Sequence, residues 1–272
     1  SITLNAYGDF SSLSINTTYY ARVKARNHVG AETAYANLGS TSTWPNAPLT
    51  LVTTFSTIYF SSLTLNWGAN SNPSGTLFIA EASTNSNFAL PIVSSSTILT
   101  TATLTELLGN GTYYFQVKAR SHAGVDTAYA NLGSTVTNTL APGTALFSNV
   151  STAGLRANWT DGGNALGTLF TVQLDDDPNF GSINQTSTTV NTYSDFGSLA
   201  LNATYYAQVQ SVNWAGNGSA YVSLGSTITL TNIPVTSVST FTVVNISSLA
   251  FQWNANSNPS GTLYVAELSS VP

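Results

Sequence analysis

The chain has 272 residues, no cysteine, no methionine and a net charge of −5, and only 6 % of it is charged, against about 25 % in an ordinary soluble domain. Six Lys and Arg in all cannot neutralise a run of phosphates, which argues against nucleic acid as a partner, and the absence of Cys excludes disulfides, thiolate metal sites and cysteine nucleophiles. The 42 % hydrophobic content is enough for packed cores, yet no apolar run approaches the roughly 20 residues of a membrane helix, so neither membrane insertion nor a signal peptide is expected in this segment.

Read in chain order, two phrases alternate. NTTYYARVKARNHVGAETAYANLGSTSTW begins at Asn16, SSLTLNWGANSNPSGTLFIAEAS at Ser61, NGTYYFQVKARSHAGVDTAYANLGSTVTN at Asn110, AGLRANWTDGGNALGTLFTVQLD at Ala153, NATYYAQVQSVNWAGNGSAYVSLGSTITL at Asn202 and SSLAFQWNANSNPSGTLYVAELS at Ser247. Thr18, Thr112 and Thr204 lie 94 and 92 residues apart, and Trp67, Trp159 and Trp253 lie 92 and 94 apart. A period of this length is too long for a solenoid coil and suits a small domain with its own core.

Residues 1–43 start in mid-repeat: SITLNAYGDFSSLSINTTYY runs without a gap along STTVNTYSDFGSLALNATYY from Ser187. They are expected to hold the last three strands (positions E, F and G) of a domain, with Leu13, Tyr19, Ala21 and Val23 turned to its core. Residues 44–138 form a complete unit. Leu63, Leu65 and Trp67 share one strand face, Phe78, Ala80 and Ala82 another, and Tyr113, Phe115, Val117 and Ala119 a third, with Tyr114, Gln116, Lys118 and Arg120 outward; period-two alternation of this kind predicts strands. Turn signals divide the runs: SNPSG at Ser71, NGT at Asn110, HAG at His122 and APG at Ala141. Residues 139–230 repeat the unit, with Phe170, Val172 and Leu174 inward, and Trp67, Tyr113, Trp159 and Tyr205 are the expected core anchors. Residues 231–272 hold only the first three strands (A, B and C), with Leu249, Phe251, Trp253 and Tyr264 on the core face. TWPNAP at Thr43, NTLAPG at Asn138 and LTNIPV at Leu230 each place a Pro at a joint, which stiffens the string. The fold class predicted is all-β: tandem seven-stranded antiparallel sandwiches.

The unit resembles a fibronectin type III domain, itself immunoglobulin-like. The residues that carry the resemblance are the second-strand Trp67, Trp159 and Trp253, and a Leu followed six residues later by Tyr in Leu13/Tyr19, Leu107/Tyr113 and Leu199/Tyr205. With them goes the run Tyr-x-Val-x-Val-x-Ala-x-Asn-x-x-Gly, written here as Tyr19, Ala21, Val23, Ala25, Asn27, Gly30, as Tyr113, Phe115, Val117, Ala119, Ser121, Gly124, and as Tyr205, Ala207, Val209, Ser211, Asn213, Gly216. Ile15, Gly109 and Leu201 stand where the family has a turn Pro. The resemblance implies a tyrosine corner, in which the hydroxyl ties back to the preceding loop, and a spacer, adhesive or scaffold role; the family's integrin-binding Arg-Gly-Asp is absent.

The two end segments are complementary halves. Three periods come to 280 residues, eight more than the 272 present, and the missing stretch matches 179–186, between positions C and E. Each half alone would expose an apolar face and open strand edges. The expected partner is therefore a copy of the chain, bound head-to-tail, or the continuation of a longer array. A contact of this kind that does not close builds a filament.

Little points to chemistry. His28 and His122 occupy the same turn 94 residues apart and are expected as exposed turn residues or residues packed on a neighbouring domain. Asp175, Asp176 and Asp177, with Asp161, could supply oxygen ligands to Ca²⁺, but other repeats lack them and a solvated loop is expected. Lys24, Arg26 and Glu32 recur as Lys118, Arg120 and Asp126, which predicts a cross-strand ion pair of small weight. No phosphate loop, triad order or paired carboxylate frame occurs, so neither catalysis nor a cofactor is expected. Eight Asn-x-Ser/Thr sequons, at Asn16, Asn110, Asn149, Asn158, Asn184, Asn202, Asn217 and Asn245, leave glycans as a possible partner, although a chain rich in Asn and Thr for its turns and strands makes sequons by chance. The function expected is a structural filament or surface fibre, extracellular or at the cell surface; the alternative is an adhesive or carbohydrate-binding stalk, for which an exposed aromatic platform on each repeat would speak.

Overall fold

A computed structural model of the chain describes residues 2–89 and 92–271; Ser1 and Pro272, the end points of the internal match, lie outside them. The described residues contain strands and turns but no helix. The chain divides into two compact units, Ser1–Asn138 and Thr139–Pro272.

The first unit opens with a hairpin of β1 (Thr18–Val23) and β2 (Ala36–Ser42). Then follow β3 (Leu49–Ser56), β4 (Leu63–Gly68), β5 (Leu77–Ser83), β6 (Ile92–Thr97), β7 (Thr101–Leu104), β8 (Thr112–Arg120) and β9 (Ala130–Val136). These seven make two antiparallel sheets, β3-β4-β7 and β6-β5-β8-β9. Because side chains alternate across a strand, β4 turns Leu63, Leu65 and Trp67 inward, β5 turns Phe78, Ala80 and Ala82, and β8 turns Tyr113, Phe115, Val117 and Ala119. All are buried in one core, while Tyr114, Gln116, Lys118 and Arg120 face out. Trp67 meets Phe78 edge-on at 5.8 Å between ring centroids, a favourable aromatic geometry.

The second unit repeats the plan. Its strands are β10 (Gly143–Thr144), β11 (Gly154–Thr160), β12 (Leu169–Asp175), β13 (Gln185–Thr189), β14 (Tyr193–Gly197), β15 (Thr204–Val212) and β16 (Val222–Ile228). They form sheets β10-β11-β14 and β13-β12-β15-β16 around a core that includes Trp159, Phe170, Val172, Leu174, Tyr205 and Val209. The hairpin β17 (Val235–Val244) with β18 (Leu249–Asn254) ends the unit.

One irregularity recurs. The last two strands slip register between Ala21 and Arg22, between Phe115 and Gln116, and between Ala207 and Gln208. Opposite each slip sits Gly39, Gly133 or Gly225, at φ of 90°, 88° and 86°, a left-handed conformation that glycine adopts without strain. The residue carried over by the bulge is Leu38, Leu132 or Leu224; Leu132 and Leu224 are buried in the cores.

Candidate assembly interface

In the whole repeats the two sheets are knitted from strands far apart in sequence. β4 is bonded to β7 and β5 to β8, and likewise β11 to β14 and β12 to β15. In sandwich positions these are the B–E and C–F ladders. Residues 1–43 contain β1 and β2, the counterparts of β8 and β9 (F and G). Residues 231–272 contain β17 and β18, the counterparts of β3 and β4 (A and B). The segments expected as strand E, residues 7–11, and as strand C, residues 263–269, carry no ladder. The reason is physical: an E strand bonds to B and a C strand to F, and no described residue offers that partner to either segment. A strand without a neighbour has nowhere to place its backbone N–H and C=O groups except water.

The same division shows in burial. Of the expected interface residues, Leu13 is 42 % and Val23 52 % exposed, whereas their counterparts Leu107 and Val117 are 4 % and 0 % exposed. Ala21 is exposed and Tyr19 half-buried. In the other half, Leu249 and Trp253 are both 39 % exposed, against 0 % for Leu63 and 1 % for Trp67, and Phe251 and Tyr264 are half-buried. On the inner face of residues 1–43 the result is an open trough of about 760 Å³, lined by Tyr7, Phe10, Leu13, Tyr19, Ala21 and Val23. In residues 231–272, Phe251, Trp253 and Tyr264 already stack in sequence, Trp253 to Tyr264 at 5.5 Å, leaving one flank bare.

The local devices of the F and G strands are complete in residues 1–43 as in the two whole repeats. The hydroxyl of Tyr19 accepts the N–H of Ser14 at 2.8 Å, that of Tyr113 the N–H of Leu108 at 2.8 Å, and that of Tyr205 the N–H of Ala200 at 3.0 Å. Three tyrosine corners and the sheet orders A-B-E and C′-C-F-G settle the architecture. The chain is a tandem array of fibronectin type III-like sandwiches. No family model matches the chain and no curated protein matches it. Among solved structures it is similar to a two fibronectin type-III domain segment from chicken tenascin, at 16 % identity over 68 % of this chain and all of that one, with a TM-score of 0.47. It is also similar to the chicken CNTN1 FN1–FN3 domains, at 14 % identity over 78 % of this chain and 76 % of that one, with a TM-score of 0.29.

The joints of this fibronectin type III-like array are held by asparagines. At Trp44–Pro48, Asn46 N–H donates to Asn72 Oδ1 at 2.8 Å and Asn72 Nδ2 returns to Asn46 O at 2.7 Å. Asn232 and Asn258 repeat the reciprocal pair at 2.7 and 2.8 Å, and Leu140 with Asn164 at 2.8 and 2.7 Å. In each case a two-point clamp fixes the segment that precedes a sandwich's first strand against the B–C turn of that sandwich. Asn16 adds a third tie: its Nδ2 donates to Thr76 Oγ1 at 2.9 Å, and its Oδ1 accepts His122 N–H at 3.1 Å. Asn16, Asn110 and Asn202 all sit at positive φ, 46°, 55° and 49°, a conformation Asn tolerates better than most residues.

The sequons therefore divide. Asn16 and Asn110 are buried, and Asn158 donates its amide to Leu146 O and Ser148 Oγ; Asn149, Asn184, Asn202, Asn217 and Asn245 are exposed. His28 and His122 have exposed side chains, and it is the main chain of His122 that makes contact. Asp175, expected in a solvated loop, is buried at 1 % exposure, with Oδ1 accepting Asp177 N–H at 3.4 Å. Among the described residues no group of three or more His, Asp or Glu gathers in a metal-binding arrangement.

The recurrent charges pair as the sequence suggests. Lys24 pairs with Glu32, and Asp126 takes Lys118 at 2.8 Å and Arg120 Nη2 at 2.9 Å. The hydrogen bonds from Arg120 and Lys118 hold the Asp126 carboxyl far below the usual carboxylate range and raise Lys118. A further pair, bidentate Arg156 to Asp195 at 2.7 Å, lies on the β11–β14 ladder and depresses Asp195. No other repeat has this Arg–Asp pair at these positions, so periodicity gave no signal for it.

Proposed function

We propose that the chain is the structural subunit or segment of an extracellular or surface filament, in which the sandwich begun by residues 231–272 is completed by strands like those of residues 1–43, from a neighbouring copy or from the continuation of a longer array. The observation that carries this reading is the identity of the absent ladders. Each half lacks one strand pairing on each sheet, B–E and C–F, and each holds the strands the other needs. Strand addition would supply main-chain hydrogen bonds across both sheets and bury the trough lining against Leu249, Phe251 and Trp253. About five large side chains per half at ~1.5–3 kcal/mol each give a gross gain on the order of 10 kcal/mol per half, before ordering entropy is subtracted. The contact is heterologous, so it propagates. A sandwich about 30–40 Å long, from ~3.3 Å per strand residue, would advance such a fibre by roughly 100 Å per chain. The scarcity of charge leaves little repulsion between copies.

The alternative, a carbohydrate-binding stalk, needs open aromatic faces. Tyrosines do recur outward as Tyr35, Tyr129 and Tyr221. But Arg22 lies over the Tyr35 ring at 4.0 Å and Lys118 over Tyr129 at 4.7 Å, so two of these rings already hold a cation. This weighs against a sugar platform.

The test is assembly of the purified chain, followed by sedimentation and negative-stain microscopy. Filaments that dissolve on a denaturing gel into a band near 28.5 kDa are the expected result. Isolated rods at every concentration, with ends that still bind a hydrophobic dye, would sink the proposal.

A further inference from the structure

The internal joint of the first unit and the open end of the second differ by one missing contact. At the internal joint, Asn16 is 1 % exposed. Its N–H donates to Trp44 O at 3.3 Å, its amide to Thr76 Oγ1 at 2.9 Å, and Thr76 Oγ1 donates to Pro73 O at 2.8 Å. At the open end, Asn202 N–H donates to Leu230 O at 3.4 Å, its amide to Thr262 Oγ1 at 3.3 Å, and Thr262 Oγ1 to Pro259 O at 2.8 Å. The backbone angle is the same within a few degrees, φ 46° and 49°. Yet Asn202 is exposed. What closes the internal socket is the turn at Ser121–Gly124, whose His122 N–H reaches Asn16 Oδ1 at 3.1 Å. No described residue does this for Asn202.

We infer that the socket at Asn202 is closed by the turn Asn27–Gly30 of the next copy, with the main-chain N–H of His28 donating to Asn202 Oδ1. The inference rests on the filament reading and adds the contact that sets its register. Three observations support it. The period that carries Asn16 to Asn202 carries the place of His122 to His28 of a copy supplying the E, F and G strands. The incoming turn is already shaped: Gly30 N–H donates to Asn27 O at 3.0 Å with φ 89°, as Gly124 N–H donates to Ser121 O at 2.9 Å with φ 85°. And the donor is a backbone group, so the contact depends on position rather than on side-chain choice. An out-of-register strand would leave a buried N–H and a buried amide oxygen without partners, which is costly. The socket thus selects one register from those that apolar strands alone would permit.

Two substitutions separate this contact from folding. Asn202→Gly keeps the positive φ and removes the acceptor, together with the long amide bond to Thr262 within the same unit. His28→Pro removes only the donor, at the second position of a turn where Pro is favoured. Thermal melting of the whole repeats should be unchanged in both. Each should raise the critical concentration for filament formation about tenfold, in line with one buried hydrogen-bond partner lost, and the double variant should be no worse than either single. Wild-type filaments with unaffected or strictly additive variants would overturn the contact and leave the filament standing. A wild-type chain that forms no filament would overturn both.

Discussion

Val23 and Val117 occupy the same place in the same strand of two repeats, yet one is 52 % exposed and the other 0 %. Around them the hairpins are alike: the same ladder with the same bulge, the same tyrosine corner, the same turn. Features closed within about 30 residues of chain therefore form with or without the remainder of the sandwich. Burial does not, because Val117 is covered by the facing sheet β3-β4-β7 and flanked by β5, whose ladder to β8 joins residues far apart in sequence. The halves of this fold are locally finished and globally open. Under the proposed assembly the F–G and A–B hairpins would already be formed and only the E and C strands would have to be ordered, which lowers the ordering cost of association.

The sharpest way to break the comparison is to remove the same side chain from a closed and an open repeat. Trp159→Ala should cost the closed repeat about 3–5 kcal/mol by leaving a cavity in its core, read as a lower denaturation midpoint. Trp253→Ala should leave that midpoint almost untouched, because Trp253 packs on one flank only, and should abolish assembly at concentrations where the wild type forms filaments. If Trp253→Ala instead lowers the midpoint as much as Trp159→Ala, the end segment is a finished core and the comparison fails.

A smaller effect is expected at the corners. Tyr113→Phe leaves Leu108 N–H without its acceptor, at about 1–2 kcal/mol. Tyr19→Phe should cost much less in the free chain, because Tyr19 is half-buried where Tyr113 is buried and water replaces the hydroxyl. The full penalty should return in filaments, visible as earlier heat dissociation. Equal losses in the free chain would show that the corner is rigid regardless of its surroundings.

Much of this was legible in the sequence, and the remainder was hidden for identifiable reasons. Alternation marks Leu63, Leu65, Trp67, Phe115 and Val117 as inward because a strand has only two faces. The Leu-to-Tyr spacing marks the corners because the bond closes over five residues. Residues 7–11 and 263–269 carry strand patterns as good as any, but pattern reports only which face a side chain takes; a ladder also needs a neighbour. Asn16 reads as a sequon or a turn residue, because its bonds go to Thr76 and His122, 60 and 106 residues away. The available signal was the joint recurrence of Asn16, Asn110 and Asn202 with Thr76, Thr168 and Thr262. The burial of Asp175 had none, since Ser83 holds that place in the preceding repeat.

The smallest expected effect is electrostatic. Asp126 is held between Arg120 and Lys118 with its carboxyl depressed. A depressed carboxyl stabilises the folded state fully above its unfolded value of about 3.9 and loses that contribution as pH falls toward the folded value. Asp126→Asn should thus lower the melting temperature by about 2–5 °C at pH 7, as partly exposed pairs do, with the gap to wild type narrowing below about pH 4. The raised Lys118 acts at the other end of the scale: its contribution is full below its unfolded value of about 10.4 and fades only as pH rises past it, so the neutral range stays flat. Asp195, depressed by Arg156, should follow the acid branch in the other whole repeat. A gap that stays constant from pH 7 to pH 3 would assign the role of Asp126 to packing against Lys118 and Arg120 instead of to its charge.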